Sequence, residues 1–182
     1  MPRSFEVHVA MERQELEREL ERLHAESWGW ALACAGRRRD VAEDALQTAY
    51  VRVLSGAARP SGGSSLRTWL FGVIRLTVME ELRRERVADE RRDPEATIDA
   101  VDPAPRPDTS AEHAERSAAL RAGLSTLSPR QREVLQLVFY HGMTIEEAAV
   151  VMRVSLGSAR THYERGKKSL AAAVASLQGD LR

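Results

Sequence analysis

Apolar residues recur along this chain three and four positions apart and almost nowhere in alternation, so the pattern predicts helices and no sheet. Leu16, Leu20 and Leu23 mark an amphipathic helix from about Glu12, and Trp28, Ala31, Leu32 and Ala35 carry its stripe on to Gly36. After the basic turn Arg37-Arg38-Arg39, Asp40 is read as the N-cap of a second helix over 41–54. Its Val41, Ala45, Ala49 and Val53 line up, with Leu46, Tyr50 and Leu54 beside them. The run SGAARPSGGSS at 55–65 reads as a flexible loop. A long helix follows at 66–86, with Leu70, Val73, Ile74, Thr77, Val78 and Leu82 on its core face.

From Val87 to about Thr109 the periodicity stops. Pro94, Pro103, Pro105 and Pro107 cannot sit inside helices, and a stretch rich in acids such as Asp89, Glu90, Asp93, Glu95, Asp99 and Asp102 cannot bury a core. Residues 88–110 are therefore read as an acidic, proline-containing linker. The expected fold is all-α, with two small helical domains at 10–87 and 111–178. The second domain opens with a helix at 111–124. Ser128-Pro129-Arg130-Gln131 then combines a serine N-cap, proline at the first helical position and glutamine three residues after the cap. That helix carries Val134, Leu135, Leu137 and Val138 and stops at Gly142, a left-handed cap. Thr144-Ile145-Glu146-Glu147 is a second capping box, opening a short helix that ends near Met152. After Arg153-Val154-Ser155 a long helix spans about 156–177.

Two helices joined by so short a turn, the second one basic, make a helix-turn-helix. Ile145, Ala148, Ala149 and Met152 are expected to face inward, the two alanines letting the next helix cross closely, with Val154 filling the turn and Ala159 and Tyr163 packing back. That leaves Ser155, Gly157, Ser158, Arg160, Thr161, His162, Glu164, Arg165, Lys167 and Lys168 as candidate contacts to duplex DNA. Arg160 and Arg165 suit guanine edges or phosphate, Glu164 a cytosine amino group, and Lys167 and Lys168 phosphate. Net charge does not object. The 27 basic and 27 acidic residues cancel overall, but between Arg153 and Lys168 only Glu164 opposes five basic side chains. It is the local patch that a phosphate backbone feels.

Other chemistry finds little support. The single cysteine, Cys34, lies in an apolar run and is read as a buried thiol. The five histidines lack ligand spacing, so neither a metal nor another cofactor is expected. No paired acid and base or phosphate loop appears, Ser61-Gly62-Gly63 lacking the lysine and strand of a P-loop, and no enzyme is expected. No apolar run reaches the roughly 18–20 residues of a membrane helix, and the first ten residues carry no secretory block, so the cytoplasm is the expected location and membrane insertion is not.

The stretch LSPRQREVLQLVFYHGMTIEEAAVVMRVSLGSARTHYERGKKSL (Leu127–Leu170) resembles region 4 of sigma-70 family RNA polymerase sigma factors, and also the DNA-binding domain of LuxR-type regulators. The first domain separates the two. Ala42-Glu43-Asp44-Ala45-Leu46-Gln47-Thr48-Ala49-Tyr50 is similar to the region 2 helix that sigma factors press onto polymerase. Leu66–Phe71 through Glu80–Arg84 looks like the promoter-melting helix. Regions 2 and 4 alone, joined by a short linker, resemble the extracytoplasmic function (ECF) group. The resemblance implies that Asp44, Gln47, Thr48 and Arg52 dock on core RNA polymerase. It implies that Arg67, Trp69, Arg75 and Arg83, with the 55–65 loop, hold the melted −10 strand, and that the helix-turn-helix reads the −35 element. It implies an anti-sigma factor as a further partner. Leu76, Glu80 and His162 depart from the family's usual Asn, Asp and basic residue, which bears on promoter preference. A LuxR-type regulator would need an α/β receiver in 1–86, where no strands are expected. A helical adaptor without DNA would have no use for Arg160.

Overall fold

The computed structural model describes residues 13–60, 63–90 and 126–179. The chain divides into two compact units, with the break between Asp102 and Pro103. Among the described residues every regular element is a helix. The helix expected at 111–124, and the linker beyond Glu90, lie outside the described residues.

Three helices pack mutually in the first unit: α1 (Arg13–Cys34), α2 (Arg39–Leu54) and α3 (Leu66–Asp89). The α1 stripe runs Leu20, Leu23, Ser27, Trp30 and Ala31. Trp30 is the anchor. Its ring stacks on Phe71 at 5.8 Å, and its indole N–H donates to the Phe71 carbonyl at 2.9 Å. The partner on α3 thus satisfies both the apolar body and the polar tip of the indole. Trp28, placed on the core stripe by the sequence reading, is only half-buried, as is Cys34. The α2 stripe is as expected, with Val41, Ala45, Leu46, Ala49 and Val53 buried.

Asp40 is not the cap of α2. The helix begins two residues earlier, at Arg39, with Arg38 at the N-cap position and Asp40 in the first turn. There Asp40 accepts from the Val41 N–H, which holds its carboxyl below the ordinary carboxylate range, and the neighbouring Arg38 adds to the effect. Arg38 also grips Glu85 with both fork nitrogens, at 2.7 and 2.8 Å, tying the start of α2 to the end of α3. At the other end of α3, Ser65 caps the helix by accepting from the Thr68 N–H at 3.1 Å.

In the second unit α4 (Pro129–Leu135) opens with the expected capping box: Ser128 accepts from the Gln131 N–H while the Gln131 side chain accepts from the Ser128 N–H. It continues into a wide π turn, Gln136–Tyr140, before Gly142 ends it with φ +61°. Helix α5 (Ile145–Met152) carries the second box, Thr144 with Glu147, and α6 (Leu156–Gly179) follows. Arg153 closes α5 in a left-handed conformation, φ +54°, its N–H reaching back to Val150 and Ala149. Ala148, Ala149, Val151 and Met152 are buried, while Ile145 is half-buried, so Val151 takes the inward place expected of Ile145.

Candidate nucleic-acid interface

The two sides of α6 follow from its 3.6-residue period. Ala159 and Gly166 are buried and Tyr163 and Leu170 half-buried, so these four turn the helix toward α4 and α5. Gly166 lets α4 approach closely: a Cβ there would stand 3.1 Å from a Leu135 methyl and 3.3 Å from Gln131. Gly157, Ser158, Arg160, Thr161, Glu164, Arg165, Lys167 and Lys168 are exposed, as is Ser155, and His162 is half-buried at the margin. The expected DNA-facing set is therefore brought onto one helix, with His162 its weakest member.

Several of these side chains are held in place before any ligand arrives. The Ser155 Oγ accepts from the Ser158 N–H at 3.1 Å and lies 2.9 Å from the Ser158 hydroxyl. Thr161 donates to the Gly157 carbonyl at 2.9 Å. Lys167 sits over the Tyr163 ring at 5.1 Å and lies 3.9 Å from Glu164. Arg160 reaches across the turn to Glu146 on α5, Nη2 to Oε1 at 3.1 Å. The Glu146 carboxyl is held below its ordinary range, first by its own backbone N–H at the start of α5 and then by Arg160.

In the first unit the candidates fall into separate groups. Asp44 and Gln47 are exposed on the outer face of α2, and Thr48 is half-buried. The same face presents Val51, 65% exposed, an apolar residue the sequence reading had not singled out. Arg52 is drawn toward α3, bonding Glu80 at 2.7 Å and reaching the Thr77 hydroxyl at 3.4 Å. Arg67 lies in the first turn of α3, paired with Glu26 at 2.7 Å and set over the Phe71 ring at 5.4 Å. Trp69 is half-buried beside it, and Arg83 is exposed about 21 Å further along the helix. Arg75 departs from its expected place. It is 5% exposed, between Phe71 and Val78 on the buried side of α3, so this surface does not offer its guanidinium to a strand.

Phe139 (64% exposed) and Tyr140 (72%) were also missed as surface residues. They leave the buried stripe of Val134, Leu135 and Leu137 because the π turn rotates the backbone there.

Among the described residues no cluster of metal-binding side chains occurs and no helix is long and apolar enough to cross a membrane. Among the described residues of unit 1 every regular element is a helix, so none of them forms the receiver sheet that the LuxR-type reading needs.

Known proteins agree with this layout. Residues 20–87 match the pattern that defines Sigma-70 region 2, and residues 117–170 match that of Sigma-70, region 4. The chain is 32% identical over 131 residues to the ECF RNA polymerase sigma factor SigX of Bacillus subtilis, an alignment covering 70% of this chain and 68% of that one. It is 30% identical over 135 residues to the ECF RNA polymerase sigma factor SigC of Mycobacterium tuberculosis, covering 72% and 69%. In fold it resembles the sigma factor RpoE, solved in complex with the anti-sigma factor NepR from Bartonella quintana, with a TM-score of 0.65 at 21% identity over 89% of this chain and 98% of that one. CnrH, solved in complex with the cytosolic domain of CnrY, gives a TM-score of 0.59 at 19% identity, covering 90% of each chain. With both signature regions in order and relatives of this closeness, the chain belongs to the ECF group of the sigma-70 family of RNA polymerase sigma factors.

Proposed function

We propose that this sigma factor divides promoter recognition between its two units at the residues described above. The outer face of α2, with Asp44, Gln47 and Thr48, docks on core RNA polymerase together with Arg52 at its α3 edge, and Val51 supplies an apolar centre for that contact. Arg67 and Trp69 at the start of α3, with the 55–65 loop, hold the melted −10 strand by phosphate contact and base stacking. Arg83 meets its upstream end. Helix α6 reads the −35 duplex through Ser155, Gly157, Ser158, Arg160, Thr161, His162, Glu164 and Arg165, with Lys167 and Lys168 on phosphate. Domain limits of 10–87 and 111–178 accommodate both surfaces. The chain binds and positions without a catalytic step of its own, and it works in the cytoplasm beside polymerase. An anti-sigma factor covers these surfaces when the inducing signal is absent; similarity in fold to the sigma factor RpoE, solved with the anti-sigma factor NepR, supports this.

The observation that carries the reading is the exposed charged face of α6, set by two small residues and a capping box against α5. Reconstitution tests it. Core polymerase with this chain is expected to initiate at promoters with two spaced elements where core alone does not. In the same assay Arg160→Ala is expected to weaken upstream-element preference while polymerase binding persists. Initiation indistinguishable from core alone would overturn the proposal.

A further inference from the structure

We propose that Glu146, on the helix preceding the reading helix, is a specificity-determining residue that aims Arg160 at a single base pair of the upstream element. The inference rests on the reading of Arg160 as a base contact and adds what directs it. A free arginine on a helix surface samples many rotamers, and a base contact made from that ensemble is correspondingly loose. Arg160 is not free in this way, because one nitrogen, Nη2, is engaged by the Glu146 carboxylate at 3.1 Å.

The acceptor is itself fixed. Glu146 stands in the first turn of α5, where its carboxylate accepts from its own backbone N–H, and the Thr144–Glu147 capping box sets that turn. The guanidinium is planar and presents its donors as a rigid fork. Engaging one nitrogen therefore orients the whole plane and leaves the other N–H groups open for guanine O6 and N7.

Fold stability does not explain the pair. Both side chains are about 60% exposed, and exposed pairs of this kind contribute little to folding. The negative charge of Glu146, close to where a phosphate backbone passes, would by itself oppose binding. The orientation it confers on Arg160 is the compensating use.

The test uses holoenzyme assembled from core polymerase and the full chain, with promoters carrying all four base pairs at each upstream-element position. Arg160→Ala is expected to flatten the preference at one position. Glu146→Ala should reduce preference at that same position, on the order of fivefold, and change nothing further when Arg160 is already alanine. Glu146→Gln, whose amide oxygen still accepts from Nη2, should restore part of it. A fully preserved preference in Glu146→Ala would overturn the inference. So would a uniform change at all positions, or an equal effect of Glu146→Ala with and without Arg160; in each of these cases Arg160 still stands as a reader. If Arg160→Ala itself flattens no position, the base-contact reading falls and the inference falls with it.

Discussion

Gly166 and Leu135 meet so closely that a Cβ at 166 fits only if its neighbours give by a few tenths of an ångström: its three nearest atoms, two of them from Leu135, would lie at 3.1–3.3 Å. This contact sets how α6 lies on α4, and with it which residues of α6 face outward. Gly166→Val adds volume against a buried leucine and is expected to destabilise the second unit by about 2 kcal/mol. Circular dichroism during urea unfolding checks it. All three tryptophans lie in the first unit, so their fluorescence should report an unchanged midpoint for that unit. An unshifted dichroism transition would show that the helices can part without cost.

Tyr50 gives the first unit an alkaline limit. Burial raises its phenol above the ordinary value of 10.0, because the fold disfavours the charged form. The unfolded chain ionises first, so this contribution to stability is complete below about pH 10 and is lost as pH rises through the raised value. Tyr50→Phe removes the ionisation and, at neutral pH, the contacts of the hydroxyl with the exposed His24, at 3.2 Å, and with Ser27. Its urea midpoint, followed by tryptophan fluorescence, should fall less between pH 9 and 11 than that of the parent chain. Parallel decline in the two proteins would count against the assignment.

The residues of α2 proposed to dock on polymerase differ in what they do for the fold. Asp44 and Gln47 are exposed to solvent, whereas Arg52 is bonded to Glu80. Asp44→Ala and Gln47→Ala are expected to weaken association with core polymerase and to leave the unfolding midpoint within error. Arg52→Ala should weaken association and also cost up to about 0.5 kcal/mol of stability. Titration of core polymerase with labelled protein, set beside urea unfolding, distinguishes the two patterns.

The two capping boxes were the most legible feature, because each is written in four consecutive residues, whereas the start of α2 has no side-chain cap and was placed two residues late. Ser128 to Gln131 and Thr144 to Glu147 both form the boxes their sequences announce. The α2 stripe and the paired alanines of α5 were equally plain, since small or apolar residues at helical spacing have one physical use. What escaped depended on partners distant in sequence, or on polar residues inside apolar stripes. Buried Ser27 carries the α1 stripe from Leu23 to Trp30, and because serine does not register as apolar the stripe was drawn through Trp28. Arg75 was placed on the −10 strand by the family resemblance, although its spacing from Phe71 and Val78 puts it on the buried side of α3. Gly166 is just one glycine in a basic helix until Leu135 is seen against it. The Glu146–Arg160 pair depends on how closely two helices cross, which periodicity does not determine.

The two capping boxes have a kinetic consequence. Each fixes a helix start with contacts three residues apart, so the costly nucleus of a helix forms by a short local search. The helices so started then pack on neighbours nearby in the chain, within their own unit. Folding that closes only short loops is fast, and a unit of this kind can reach its final shape soon after it leaves the ribosome, without waiting for the rest of the chain.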